Sequence, residues 1–238
     1  MNNVDIQKIA EKFAKENKKH IAKEITNPQK YVGDEFPLSI FMAGSPGAGK
    51  TEYSKNLILI LEKNREHRII RIDGDYIRTY LPGYNGTNSF LFQKAISSIV
   101  EKIHDFALSN GQTFLFDGTF ANYNKAIENI NRSLSRSRQI IISYVYQNPF
   151  VAWKFTKARE SKEGRNIPKE VFIRQFLSSR ETVERIRKDF NDEIVISLVK
   201  KNVETHDVEY TVKLKQYGPH LDYYLGSRYN ENDLREKL

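Results

Sequence analysis

The sequence predicts an α/β fold, a largely parallel sheet with helices on both faces. Three observations carry that reading. Short β-rich runs alternate with longer helical stretches, a complete glycine-rich phosphate motif joins the first run to the first helix, and aspartates close the next two runs. The expected strands are Leu38–Ala43, Ile69–Asp73, Thr113–Asp117, Gln139–Tyr146 and Glu193–Val199. Helical patterns lie near Gly49–Asn64, Ser89–Ser109 and Asn122–Arg136, with two more after Asn148.

Outside this alternation, Ile6, Ile9, Phe13, Ile21 and Ile25 recur at mostly helical spacing among charged neighbours, which predicts one or two amphipathic helices packed on the main body. Asn27-Pro28 and the stretch from Gly33 to Pro37 break that pattern. Val208–Leu214 alternates and is expected to pair as a hairpin with the strand before it. The chain from Gly218 onward carries no clear pattern. The expected organisation is thus an N-terminal helical extension (1–36), a core (37–200) and a C-terminal hairpin and tail (201–238).

The composition suits a folded domain. Of 238 residues, 39% are hydrophobic and 29% charged, enough to bury a core and too apolar for disorder. No apolar run approaches the roughly 20 residues needed to cross a bilayer, and Met1 to Ile25 has no signal-peptide core. With no cysteine, disulfides, thiolate zinc sites and cysteine nucleophiles are excluded, and the cytoplasm is the expected compartment. The net charge is +8, of which Lys154–Lys188 supplies +6 through eleven Lys or Arg against five Glu. Such a stretch draws anions, either nucleic acid or a small polyphosphate, although a solvated helix face has the same composition.

Gly44-Ser45-Pro46-Gly47-Ala48-Gly49-Lys50-Thr51 matches the Walker A pattern in full. Glycines allow torsions that turn several N–H groups into one concavity, and the following helix adds its positive end. Lys50 is expected to reach the β- and γ-phosphates and the Thr51 hydroxyl to ligate Mg²⁺. The fold class is therefore that of a P-loop NTPase, arranged as in nucleoside kinases. Ile72-Asp73-Gly74-Asp75 and Asp117-Gly118-Thr119 fall at strand ends, where ligands collect in open α/β sheets. Asp75 and Asp117 suit a base for an acceptor hydroxyl or an outer partner for Mg²⁺, while either alone could merely cap a helix. Asn148-Pro149 starts a helix that is expected to run to Arg159 and to break over Ser161–Asn166. Phe172, Phe176, Val183, Ile186 and Phe190 then form a core-facing stripe. Arg159 and Arg165 flank the break, suited to a closing lid (154–170) that neutralises a transferring phosphoryl group, or else exposed to solvent.

In this order and spacing, the motifs of residues 38–190, including Arg159-Glu160 and Arg165-Asn166-Ile167-Pro168-Lys169-Glu170, resemble the zeta-toxin family of P-loop kinases. The resemblance implies ATP as donor, and no Asn-Lys-x-Asp guanine signature is present. It makes Asp75 the general base, Lys50 the P-loop lysine, and Arg159 and Arg165 the arginines that contact the ATP phosphates. Asp73, Asp75, Glu101, Asp117 and Thr119 fall on its substrate side, where the family usually has Glu in place of Asp117. It further implies the 3′-hydroxyl of UDP-N-acetylglucosamine as acceptor and a small antitoxin protein as partner. Two stretches depart from the family. Phe120-Ala121-Asn122-Tyr123 stands where an arginine helps to hold the nucleotide sugar, and the loop Leu81–Gly86 is also different. A polynucleotide or other metabolite kinase and a low-turnover nucleotide-binding module remain as alternative readings.

Overall fold

The computed structural model describes residues 2–63, 67–190 and 193–238, so that Met1 and Asn64 lie outside the described residues. Six strands form one sheet: β1 (Leu38–Ala43), β2 (Ile70–Asp73), β3 (Phe114–Asp117), β4 (Gln139–Tyr146), β5 (Val195–Lys201) and β6 (Val208–Leu214). Their order is β2-β3-β1-β4-β5-β6, with only β6 antiparallel. β1 is central because every one of its residues is buried. The chain goes to one side of β1 for β2 and β3 and to the other for β4 and β5. The resulting switch point at the carboxyl end of β1 is where an open α/β sheet leaves a crevice.

The strand readings hold to within two residues, and the hairpin of Val208–Leu214 with the preceding strand is present. α1 (Asn3–Ile25) is a single long helix, capped by the Asn2 side chain on Asp5 N–H. α2 (Lys50–Lys63) follows the glycine-rich turn, and α3 (Gly74–Arg78) is one turn beyond β2. The third helical stretch begins as a 3₁₀ turn at Ser89–Phe92 and continues as α4 (Gln93–Ser109). α5 (Tyr123–Leu134) starts at its Asn122 cap. α6 (Pro149–Glu163) has the expected Asn148 cap and N-terminal Pro, but it does not break at Ser161. Arg159 Nε donates to Glu163 Oε2 across one turn, and Gly164 ends the helix in the left-handed conformation. α7 (Lys169–Asp189) buries Phe172, Phe176, Val183 and Ile186 as its stripe requires. The tail forms two short helices, α8 (Leu221–Leu225) and α9 (Glu231–Lys237).

The two faces of the sheet are unequal. Alternation along β1 sends Phe41 and Ala43 into a large core shared with α1, α4, α5 and α7, and Leu38, Ile40 and Met42 into a small one under α2. Small residues Ala10 and Ala14 bring α1 close against α4. Arg138, buried just before β4, ties the sheet's lower edge together. It donates to Ser39 Oγ (2.7 Å), to the Leu38 carbonyl (2.9 Å) and to the Gln112 carbonyl, with its guanidinium over the Phe114 ring. Arg138→Ala orphans these acceptors and should cost about 2–4 kcal/mol in a urea titration; wild-type stability would remove Arg138 from this role.

Candidate active site

The glycine-rich turn closes around its own lysine. Gly44, Gly47 and Gly49 have φ of 135°, 71° and 86°, a region that L side chains rarely adopt. A Cβ on Gly44 would lie 2.2 Å from the Val145 carbonyl oxygen, and one on Gly47 would lie 2.0 Å from that of Ala152. Glycine is thus needed twice, for torsion and for room. Lys50, at the start of α2, donates to the Gly44 (2.9 Å) and Ser45 (2.7 Å) carbonyls, spanning the concavity that phosphates would fill. Burial pushes its ammonium down to about 8, with Asp117 and Asp75 partly opposing the shift and Arg165 and Arg159 adding to it. Thr51 is exposed in the first turn of α2, open to a metal.

Across the cavity, Asp75 accepts from three arginines: Arg159 at 3.0 Å, and Arg78 and Arg165 in tighter contacts. These come from α3, from α6 and from the turn that follows α6. Burial pushes the Asp75 carboxyl up, but Arg165, Arg78 and Arg159 together outweigh it and hold it below the usual carboxylate range. Asp73 caps α3 by accepting from Asp75 N–H (2.8 Å) and pairs with Arg71 (3.0 Å). Burial raises its carboxyl above the ordinary value. Asp117 pairs with the same Arg71 and accepts from Ser54 Oγ (3.3 Å) on α2. The Thr119 carbonyl accepts from Gly44 N–H (3.1 Å), fastening the Asp117-Gly118-Thr119 turn to the phosphate loop.

One cavity of about 920 Å³ joins these groups. Gly47, Gly49, Lys50, Thr51, Asp73, Asp75, Glu101, Asp117, Thr119, Arg159 and Arg165 all line it. Glu101, at its rim, is paired with Lys125. Gly44 and Ser45 lie behind the wall as buried backbone, and Pro46 and Ala48 are on it. The loop before α4 braces the turn after α6, since a Cβ on Gly86 (φ 89°) would stand 2.5 Å from the Glu163 carbonyl oxygen.

Sequence reasoning passed over Arg78, Arg71 and Lys201. Arg78 is three residues from Asp75 on one helical turn, and Arg71 is two residues from Asp73 on one strand, so both were on the expected face. Lys201 is buried beside Gly49 and reaches Glu52 (3.5 Å) from the far end of the sheet, a proximity that no local pattern encodes.

A lysine-bearing glycine nest at the switch point, facing a carboxylate among guanidiniums, defines a P-loop phosphotransferase. The model of the zeta toxin family matches residues 22–211, and the chain belongs to that family; it is an ATP-dependent kinase. Among solved structures, the PezAT chromosomal toxin–antitoxin system of Streptococcus pneumoniae aligns at 18% identity and a TM-score of 0.63, spanning 87% of this chain and 82% of that one. AvrRxo1-ORF1:-ORF2 with ATP aligns at 13% and 0.62, spanning 92% and 71%. At these identities the likeness is one of fold. No curated protein matches the chain. Among the described residues no helix is long and apolar enough to cross a membrane.

The depressed Lys50 gives a pH signature. Phosphate oxygens beside the ammonium raise its affinity for a proton, so the nucleotide-bound protein holds more protons than the free one above pH about 8. Nucleotide affinity should be full below that pH and fall above it, by up to about tenfold per unit. Calorimetric titration near pH 8.5 in two buffers of different ionisation enthalpy should report proton uptake. Equal heats in both buffers would contradict this account of Lys50.

Proposed function

We propose that the protein moves the γ-phosphoryl group of ATP to a hydroxyl of a nucleotide sugar, with the 3′-hydroxyl of UDP-N-acetylglucosamine, implied by the family resemblance, as the leading acceptor. The observation that carries the reading is Asp75 held by Arg159 and Arg165 in the same cavity as Lys50. The glycine cradle is already too tight for any side chain, while its N–H groups and the α2 N-terminus fit phosphate oxygens. ATP with Mg²⁺ supplies the electrophilic phosphorus when bound. Backbone N–H groups of Gly47, Gly49, Lys50 and Thr51 would hold the β- and γ-phosphates, Lys50 would exchange its carbonyl acceptors for phosphate oxygens, and the Thr51 hydroxyl would ligate Mg²⁺.

Arg159 and Arg165, on the lid formed by residues 154–170, leave Asp75 for the γ-phosphoryl oxygens and neutralise the charge that builds there. Their departure returns Asp75 towards ordinary basicity, with Arg78 still orienting it. Asp75 then takes the proton of the acceptor hydroxyl as the new O–P bond forms and the bond to the β-phosphate oxygen breaks. Asp73, Asp117, Thr119 and Glu101 are proposed to bound the acceptor and the metal's outer shell. An ATP-fed reaction suits the cytoplasm. A small protein that covers the ATP site is the proposed partner, in keeping with the toxin–antitoxin system named for the PezAT structure.

A polynucleotide acceptor is less well supported than the charge of Lys154–Lys188 suggested. Lys157, Arg159, Arg165, Arg180 and Arg187 in that stretch all have carboxylate partners within the chain.

Incubation with ATP, Mg²⁺ and a panel of UDP-sugars, nucleotides and cofactors, read by mass spectrometry, should yield one phosphorylated acceptor. Lys50→Ala and Asp75→Asn should each lower turnover by about 10²–10⁴-fold with the fold retained by circular dichroism. A fully active Asp75→Asn enzyme would remove it as the base, and a panel with no product would sink the small-metabolite reading. Arg159→Ala should cost about 10²–10³-fold in turnover; an effect confined to the acceptor KM would instead place Arg159 on the acceptor.

A further inference from the structure

A second cavity, of about 540 Å³, opens beside the first. Its walls are the segment from Thr119 into the first turn of α5 and one face of α7, with Arg174, Gln175, Ser178 and Arg185. Thr119, Ala121, Asn122 and Gln175 line both cavities, so the two share a wall at the exit of the Asp117-Gly118-Thr119 turn. Lys125, in the first turn of α5 next to that wall, pairs with Glu101 at the rim of the first cavity. Lys201 and His206 line the first cavity only, at the Gly49 side of the phosphate loop.

The second cavity has a one-sided charge. Two guanidiniums line it and no Asp or Glu does. Among the described residues neither Arg174 nor Arg185 has a carboxylate partner, in contrast with the five paired cations of the same stretch. Arg185 is not loose, however. Its guanidinium lies 3.4 Å from the centre of the Tyr123 ring, and the Tyr123 hydroxyl donates to Asp189, so ring and guanidinium are held at the cavity wall. Arg174 stands eleven residues earlier on the same helix, three turns and about 16 Å along its axis. The α5 N-terminus, with Asn122 as its cap, adds partial positive charge to the opposite wall.

The loop between the cavities is strained. Phe120 has φ of 58°, an outlier for a bulky residue, with its ring 6.0 Å from that of Phe41. Strain of this kind persists only where the surroundings over-determine it. Here the Phe41 contact and the Gly44–Thr119 hydrogen bond do so.

We propose that this second cavity is the subsite for a phosphate or diphosphate group of the acceptor, held by Arg174 and Arg185, while the acceptor hydroxyl lies at Asp75. The direction given to the acceptor rests on the proposed function; the anion site itself does not. An acceptor with a diphosphate between its reactive sugar and the rest of the molecule fills both cavities, whereas the dephosphorylated sugar fills only one. Arg174 and Arg185 are both exposed, so recognition here rests on the fork geometry of guanidinium donors, which matches phosphate oxygens, rather than on burial.

The test uses the full chain with its phosphate loop occupied by a non-hydrolysable ATP analogue and Mg²⁺, so that the loop is closed to added inorganic pyrophosphate. Wild type should bind pyrophosphate by calorimetry, and the Arg174→Ala/Arg185→Ala double variant should bind it at least tenfold more weakly. Its analogue affinity should stay within about twofold of wild type. Absence of pyrophosphate binding to the loaded wild type, or equal binding by the double variant, overturns the subsite. A single-stranded oligonucleotide that binds through these arginines more tightly than pyrophosphate overturns the small-acceptor assignment. Where the metabolite panel gives a product, the double variant should raise the acceptor KM about tenfold and change kcat much less. A panel without product removes the proposed reaction and leaves the pyrophosphate result to decide the subsite alone.

Discussion

The site is organised by one carboxylate that serves three guanidiniums. Asp75 sits on a single helical turn, yet it accepts from Arg78 beside it, from Arg159 on α6 and from Arg165 beyond α6. Among the described residues no other ion pair joins these three elements across the cavity mouth. Asp75, with Glu163 beside Arg159, sets two negative charges against three guanidiniums, and Lys50 adds a fourth positive charge on the far wall. The mouth therefore carries surplus positive charge in a partly desolvated space, where electrostatic effects are large. A triphosphate supplies the missing anion. In the proposed reaction its arrival gives Arg159 and Arg165 a stronger partner than Asp75, so that nucleotide binding and release of the base are one event seen from two sides.

Such a cluster needs a rigid floor, and the sheet provides it. β1 is buried along its whole length and ends at Ala43, directly before Gly44. β2 and β3 run parallel beside it in a register that sets Asp73 opposite Asp117, close enough for Arg71 to pair with both. This second, quieter pairing compensates two carboxylates at the strand ends and leaves Asp75 as the one that the lid arginines can reach. The thick core on the Phe41 face fixes α4 and α7, which in the proposed reading form the acceptor walls. The thin core under α2 has only to hold the phosphate loop's own helix.

Much of this was legible in the sequence because it is local. A strand of period two, a helix cap such as Asn148-Pro149, and a Walker A turn each declare themselves within ten residues. The end of α6 falls later than the expected break over Ser161–Asn166, because a pair four residues apart, Arg159 with Glu163, carries the helix on to Gly164, the residue of that stretch that can adopt a left-handed cap. α8 and α9 span five and seven residues, too short for periodicity to show. The meeting of Lys201 with Gly49, or of Arg185 with Tyr123, depends on which elements become neighbours in the fold. The basic stretch misled for the same reason: its charges could be counted from the sequence, their partners could not.

Asp117 shows how one methylene redistributes work within a shared scheme. The family resemblance puts a longer acid at this position, with reach towards the acceptor. In this chain the shorter carboxylate stays at the sheet's edge, where Arg71 and Ser54 hold it and where its charge is felt by Lys50. A carboxylate with those neighbours is better placed to order the phosphate loop and the water around a metal than to grip a sugar. The acceptor must then be gripped by something else. The segment that follows supplies no arginine of its own, and Phe120 turns inward onto Phe41, but it opens onto the α7 face where, among the described residues, Arg174 and Arg185 have no carboxylate partner. A shorter acid at Asp117, no arginine in the segment just after Thr119 and the pair of guanidiniums on α7 are, in the proposed reading, three parts of one arrangement. In the proposed reading, recognition of the acceptor has moved from the loop onto the helix behind it.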